Sequence, residues 1–158
     1  MADTPSSRLA ALGITLPKAA APRYAYVPVS RHGDLLFVSG QLPKGEDGEV
    51  TVTGRVGDDV TLEVAQDAAR QCTLQGLACA AEYAGGIDAL TSVVRVTGFV
   101  SSAPDFHAQP TVLDACSEML GEIFGEAGRH ARSAVGVAAL PRRAPVEIEF
   151  IFAVGGSA

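Results

Sequence analysis

The last strand-like stretch constrains the fold most. From Val146 to Val154 the chain reads VEIEFIFAV, a strict two-residue alternation. Val146, Ile148, Phe150, Phe152 and Val154 share one face, long and apolar enough to lie beneath helices. The opposite face carries Glu147, Glu149, Ile151 and Ala153. A freely solvated face would read as Lys, Glu, Thr and Gln; this one mixes small and apolar residues with isolated charges. The stretch before it behaves similarly, with Arg132, Ala134, Gly136 and Ala138 on one parity and Ser133, Val135, Val137 and Ala139 on the other. Such a pattern predicts a sheet packed under helices on one side and covered by another subunit on the other.

The helices follow from a change of period. Ala65, Ala69, Cys72, Gly76, Cys79 and Tyr83 recur at alternating spacings of four and three, one stripe down a helix from Thr61 to Tyr83. The stripe is made mostly of small residues, which lets a helix lie close against a sheet. Asp58 or Asp59 is the expected N-cap, and Gly85-Gly86 the stop. A second helix is expected from about Phe106 to Phe124, with Val112, Cys116, Met119 and Ile123 as its apolar stripe. Strands are expected at Tyr24–Val29, Leu35–Val38, Glu49–Thr53, Leu90–Val100, Arg132–Ala138 and Val146–Val154. The order is strand hairpin, helix, strand, helix and two strands. It predicts an α+β two-layer sandwich, a mixed β-sheet with two helices on one face. Residues 1–22, rich in Ala, Pro and Ser, read as an N-terminal arm with one helical turn near Ser7–Leu12, ahead of a single domain over 23–155.

Charge and cysteine usage narrow the function classes. The formal net charge is −6, with 12 scattered Lys and Arg residues. Neutralising a phosphate backbone needs a cationic face, so nucleic acid is not the expected partner. Cys72, Cys79 and Cys116 are odd in number and sit in apolar segments, which predicts reduced, buried thiols in a cytoplasmic protein. No stretch approaches the roughly 18 apolar residues of a membrane helix.

Arg132 is the leading chemical candidate, because a guanidinium fork offers two parallel donors to a carboxylate. Its structural alternative is an ion pair with Glu147 or Glu126. Glu147 and Glu149 share the unusual sheet face, where a carboxylate could orient water or relay a proton; for Glu149 an interface salt bridge is the better reading. His32, His107 and His130 lack metal-ligand spacing, and only His130, two residues before Arg132, falls near the candidate site. No metal site is expected. Taken alone, these residues imply an oligomeric sandwich with an anion site near Arg132.

Three segments together resemble the RidA/YjgF family, whose members also carry endoribonuclease-like and translation-inhibitor labels. They are LLFVSGQLP (Leu35–Pro43), VVRVTGFVSSAPDF (Val93–Phe106) and ARSAVGVAALPRRAPVEIEFIFAV (Ala131–Val154). The third is the most specific: an arginine, a V-x-V, an L-P and an E-x-E fall in family spacing. The resemblance implies a chorismate-mutase-like fold and a homotrimer whose sheets line a central barrel, with sites in the clefts between subunits. It implies hydrolysis of reactive 2-imino or enamine acids to 2-oxo acids and ammonia, without cofactor or metal. By that likeness Arg132 grips the substrate carboxylate and Glu147 positions the water. Tyr26 (with Tyr24 as neighbour), Ser39 and Gly40 line the cleft; Phe124 and His130, in the longer FGEAGRHAR run, line its mouth. Two positions depart from the pattern. The asparagine of typical deaminases is Pro110 here, and the cleft cysteine is Ala134. They leave a non-catalytic binder of small carboxylates or 2-oxo acids as the alternative, while the acidic charge speaks against an endoribonuclease.

Overall fold

The computed structural model describes residues 3–155, so the first two residues of the expected arm lie outside it. The elements run α1 (Pro5–Ala11), β1 (Val29–His32), β2 (Leu35–Gln41), α2 (Leu62–Ala84), β3 (Leu90–Ser101), α3 (Gln109–Phe124), β4 (Ala131–Val137) and β5 (Val146–Val154). Five strands form one mixed sheet in the order β1-β2-β5-β3-β4. Among these described strands only β3 and β4 run parallel. The connection between them is α3, the crossover that a parallel pair requires.

The two-residue alternation of β5 sorts its side chains as the sequence predicts. Val146, Ile148, Phe150, Phe152 and Val154 are buried, whereas Glu147, Ile151 and Ala153 are half-buried and Glu149 is exposed. The buried set meets α2, and Gly76 is what allows the helix so close. A Cβ at that position would run into the Phe150 ring. Gly98 on β3 does the same for α3, since a Cβ there would strike Leu113. All three cysteines are free and buried, and burial pushes the Cys116 thiol up to about 12.

Several local expectations need correction. Thr61, not Asp58 or Asp59, caps α2, its hydroxyl accepting from the Val64 amide at 3.3 Å. Asp59 is occupied instead by the Arg55 amide at 2.6 Å. The stretch Tyr24–Pro28 is not a strand. Tyr26 N–H donates to the Tyr24 carbonyl at 2.9 Å, a tight bend, and Pro28 has no amide to give a ladder. Pairing begins only at Val29. Glu49–Thr53 contributes one isolated bridge, Val50 with Lys44. Helix α3 begins three residues later than expected, with Pro110 in its first turn, where a missing amide costs nothing.

Residues 3–22 are tied to the body at several points. Ser6 donates to the Asp88 carboxylate from its amide at 2.8 Å and its hydroxyl at 2.6 Å. Leu9 is buried in the core, and the chain then runs along α2 through Leu16 and Ala19. Among the described residues no helix is long and apolar enough to cross a membrane.

Candidate functional site

Sheet register decides which candidate residues can meet. Arg132 on β4 pairs with Val96 on β3, a fully buried residue on the helix-covered face. Glu147 on β5 pairs with Phe99, and Phe99 with Val135, which are of the opposite parity. Within one chain, therefore, Arg132 and Glu147 lie on opposite faces of the sheet. They are also separated by two strands and three residues, on the order of 10 Å in each direction. The candidate residues therefore fall into two separate groups, each a candidate half-site.

The first half-site sits at the free edge of β4 against α3. Arg132 donates from Nη1 to Asp114 Oδ1 at 2.9 Å and to Ser117 Oγ at 3.0 Å, and from Nη2 to the Pro110 carbonyl at 3.3 Å. The expected structural partners, Glu147 and Glu126, are not used; Glu126 pairs with Arg129 at 3.3 Å. Asp114 and Ser117 follow from helical spacing, since residues three apart on α3 lie on one face. His130 completes the group, its Nε2 3.0 Å from Ser117 Oγ and its Nδ1 2.6 Å from the Gly128 carbonyl. Burial holds the His130 imidazole below its usual range, with the nearby Arg132 charge adding to the effect against the Gly128 contact. An open cleft of about 530 Å³ lies over Asp114, Ser117, His130 and Arg132. The Arg132 side chain remains 23% exposed there.

The second half-site lies on the other sheet face, around a bulge in the β2–β5 pairing between Val38 and Gln41. The bulge places Gly40 against Glu147, where any Cβ would overlap the carboxylate. Among the described residues the Glu147 carboxylate has no hydrogen-bond partner. Burial pushes its carboxyl above the ordinary range and the Glu149 charge pushes the same way, with Lys44 drawing it back. Ser39 Oγ donates to the Val27 carbonyl at 2.8 Å, tying the segment that carries Tyr26 to this end of the sheet. Tyr26 itself is 47% exposed, Tyr24 77%.

Phe124 belongs to neither half-site. It is 8% exposed, its ring centroid 6.4 Å from that of Phe152, so it is a core residue rather than part of a cleft mouth. The resemblance places it at the mouth together with His130, through the FGEAGRHAR run they share. Phe124 ends α3 where the sequence expects the helix to end, and that last turn carries the ring inward. Ala134 packs on the core, and Pro110 meets Arg132 only through its carbonyl. Asp114 and Ser117 escaped the sequence reading, although their i, i+3 spacing is the signal that holds them. Among the described residues no three His, Cys, Asp or Glu side chains converge as a metal site.

Comparison with known proteins agrees with this architecture. The chain is 44% identical over 154 residues to protein TCP17 of Trypanosoma cruzi, covering 94% of this chain and 96% of that one. It is 30% identical to a 2-iminobutanoate/2-iminopropanoate deaminase of Dermatophagoides farinae, covering 89% and 94%. A crystal structure of a protein of unknown function from Agrobacterium tumefaciens superposes with a TM-score of 0.86 at 42% identity, covering 97% and 95%. The family model described as "YjgF/chorismate mutase-like, putative endoribonuclease" matches residues 6–153, and the chain belongs to that YjgF (RidA) family.

Proposed function

We propose that this protein hydrolyses reactive 2-imino or enamine acids to 2-oxo acids and ammonia, in clefts completed between subunits of a homotrimer. The observation that carries the reading is the separation of Arg132 and Glu147. The two side chains suited to the chemistry point away from each other within one chain, so a site using both takes one from each of two copies. The open sheet face supports assembly. Phe37 and Val135 stand exposed there beside half-buried Ile151 and Ala153, a surface a second copy would cover. The likeness to an iminobutanoate deaminase supplies the substrate class.

In this mechanism the Arg132 fork holds the substrate carboxylate, with Asp114 and Ser117 fixing the guanidinium plane. A water held by Glu147 adds to the C=N carbon as its proton passes to the carboxylate and the imine nitrogen is protonated. The carbinolamine then collapses, its C–N bond breaking to release ammonia and leave the 2-oxo acid. A carboxyl raised by burial toward neutrality exchanges protons more readily in both steps. Gly40 leaves room for the Glu147 carboxylate itself, which any side chain at that position would displace.

One observation favours the alternative, a carboxylate binder without turnover. Position 110 offers Arg132 a carbonyl where typical deaminases carry an asparagine side chain, so one polar group of the usual cleft is missing. An imine-trapping assay separates the two. An amino-acid oxidase generates 2-imino acids from a panel of amino acids, and semicarbazide captures what survives. Wild type should suppress capture and Arg132→Ala should not, with a loss of on the order of 10² or more in kcat/KM from the missing fork. Glu147→Gln should lower kcat with KM little changed. Unchanged capture with wild type across the panel would reject the deaminase reading and leave carboxylate binding at Arg132.

A further inference from the structure

The hydrogen bonds of the first half-site all run one way, and the acceptor at the far end dictates the direction. The Gly128 carbonyl has no proton to give, so its contact at 2.6 Å puts the imidazole proton on His130 Nδ1. A neutral imidazole carries a single N–H, which leaves Nε2 as an acceptor. Burial favours that neutral ring. The 3.0 Å contact between Nε2 and Ser117 Oγ is therefore Ser117 donating to His130. A hydroxyl has one proton and two lone pairs. The Ser117 proton is committed to His130, and one lone pair accepts from Arg132 Nη1 at 3.0 Å. Among the described residues no donor reaches the second lone pair. Ser117 is half-buried and lines the open cleft together with Arg132.

Ser117 thus meets the cleft as an acceptor only, hydrogen-bonded to the guanidinium that takes a carboxylate. The ligand matching both is a carboxylate with an N–H on the neighbouring carbon, as in a 2-imino acid or its enamine. A 2-oxo acid brings a carbonyl oxygen to the same place, lone pair against lone pair, and a site built for a donor rejects it. We propose that Ser117 is the specificity residue of this half-site, selecting carboxylates with an adjacent N–H over 2-oxo acids, and that His130 is the positioning residue that keeps the hydroxyl turned from the ligand. The inference rests on the reading of Arg132 as the carboxylate grip. It makes one oxygen atom hold the substrate and disfavour the product. Protonation of His130 reverses the arrangement: Nε2 becomes a donor, the Ser117 proton swings to the cleft, and the preference for N–H is lost. The charged groups around His130 are Arg132 of β4, Asp114 of α3 and Arg129 just before β4, the last paired with Glu126. These act alike on any carboxylate, so a comparison of two ligands that share one cancels them.

Two stable probes test this on the full chain by calorimetry. Pyrrole-2-carboxylate and furan-2-carboxylate are planar rings of one shape that differ in N–H against O beside the carboxylate-bearing carbon. At a pH of about 8 the pyrrole should bind wild type at least about tenfold more tightly. Ser117→Ala should bring the two probes to near parity, chiefly by weakening the pyrrole, and His130→Phe should do so while strengthening the furan. Wild type by itself supplies a readout that a merely structural contact would not move. Its pyrrole-to-furan ratio should fall toward parity between about pH 8 and about pH 5, through the folded His130 value below 6.5. The ratio in Ser117→Ala should stay flat over the same range. Equal affinities in wild type, with both lost in Arg132→Ala, would overturn the assignment of Ser117 and leave the carboxylate grip standing. A ratio indifferent to pH and to His130→Phe would overturn the part given to His130. No binding of either probe, or binding that survives Arg132→Ala, would overturn the inference together with the grip. Failure of the imine assay with the N–H preference intact would remove turnover alone and leave a selective binder.

Discussion

Two glycines in helix interiors offer the same substitution with opposite expected results. Gly76→Ala in α2 and Gly121→Ala in α3 each gain about 0.8–1 kcal/mol of helix propensity, because alanine loses less backbone entropy on folding. Space then separates them. At Gly121 an added Cβ meets no heavy atom within 4 Å, so the gain stands alone. At Gly76 the Cβ would lie 2.6 Å from Phe150 Cδ2. The ring cannot retreat: Phe150 is 1% exposed and stacked on Phe152 with centroids 5.6 Å apart. Overpacking a well-filled core costs about 1–3 kcal/mol, so Gly76→Ala should be destabilised by up to about 2 kcal/mol after the helix gain is subtracted, about 1 kcal/mol at mid-range. For a chain of this size each kcal/mol moves the Tm by about 2–4 °C. Thermal unfolding followed by circular dichroism, at one protein concentration so that any assembly contributes equally, should place Gly121→Ala above wild type and Gly76→Ala below it. A Gly76→Ala protein melting at or above wild type would refute the close helix–sheet contact.

Other expectations follow from single sites. Thr61→Ala should cost about 1 kcal/mol through loss of the α2 cap, and Asp58→Ala much less; equal effects in urea titrations would undo the cap assignment. Arg143 stands at φ 58°, so Arg143→Gly should melt at or above wild type. Arg143→Val should fall by about 1–2 kcal/mol, since a β-branched residue resists that backbone. His130 titrates below its ordinary 6.5 in the folded chain, so the unfolded chain binds the extra proton first as pH falls. Its contribution is whole above about pH 6.5 and is lost as pH falls through the lower folded value. His130→Gln should flatten the Tm–pH curve in that acidic window, and an unchanged slope would dissociate His130 from it.

What the amino-acid sequence determined by itself was the part set by short-range periodicity. The alternation of β5 and the three–four spacing of α2 each dictate which side chains share a face, so the helix-covered core around Phe150 and Phe152 was legible before any coordinates. Free, buried thiols followed from the apolar segments holding Cys72, Cys79 and Cys116. The family resemblance was carried by contiguous motifs and needed no fold. Local capping was less legible, because Asp58, Asp59 and Thr61 all have suitable side chains; the Arg55 amide, which takes Asp59, is what settles the competition. Pro28 and the bend at Tyr24–Tyr26 shortened a strand that composition alone favours.

Only the tertiary structure decided the rest, because it depends on pairing between distant segments. Register across β5, β3 and β4 sets Arg132 and Glu147 on opposite faces, and no local pattern states the register of strands brought together from afar. The partner of Arg132 is Asp114, 18 residues away along a crossover helix. Phe124 ends the helix as expected, and only the packing shows its ring turned inward toward Phe152. Gln75 of α2 is buried and its amide donates to the Lys44 carbonyl, a contact between distant segments that no local pattern states.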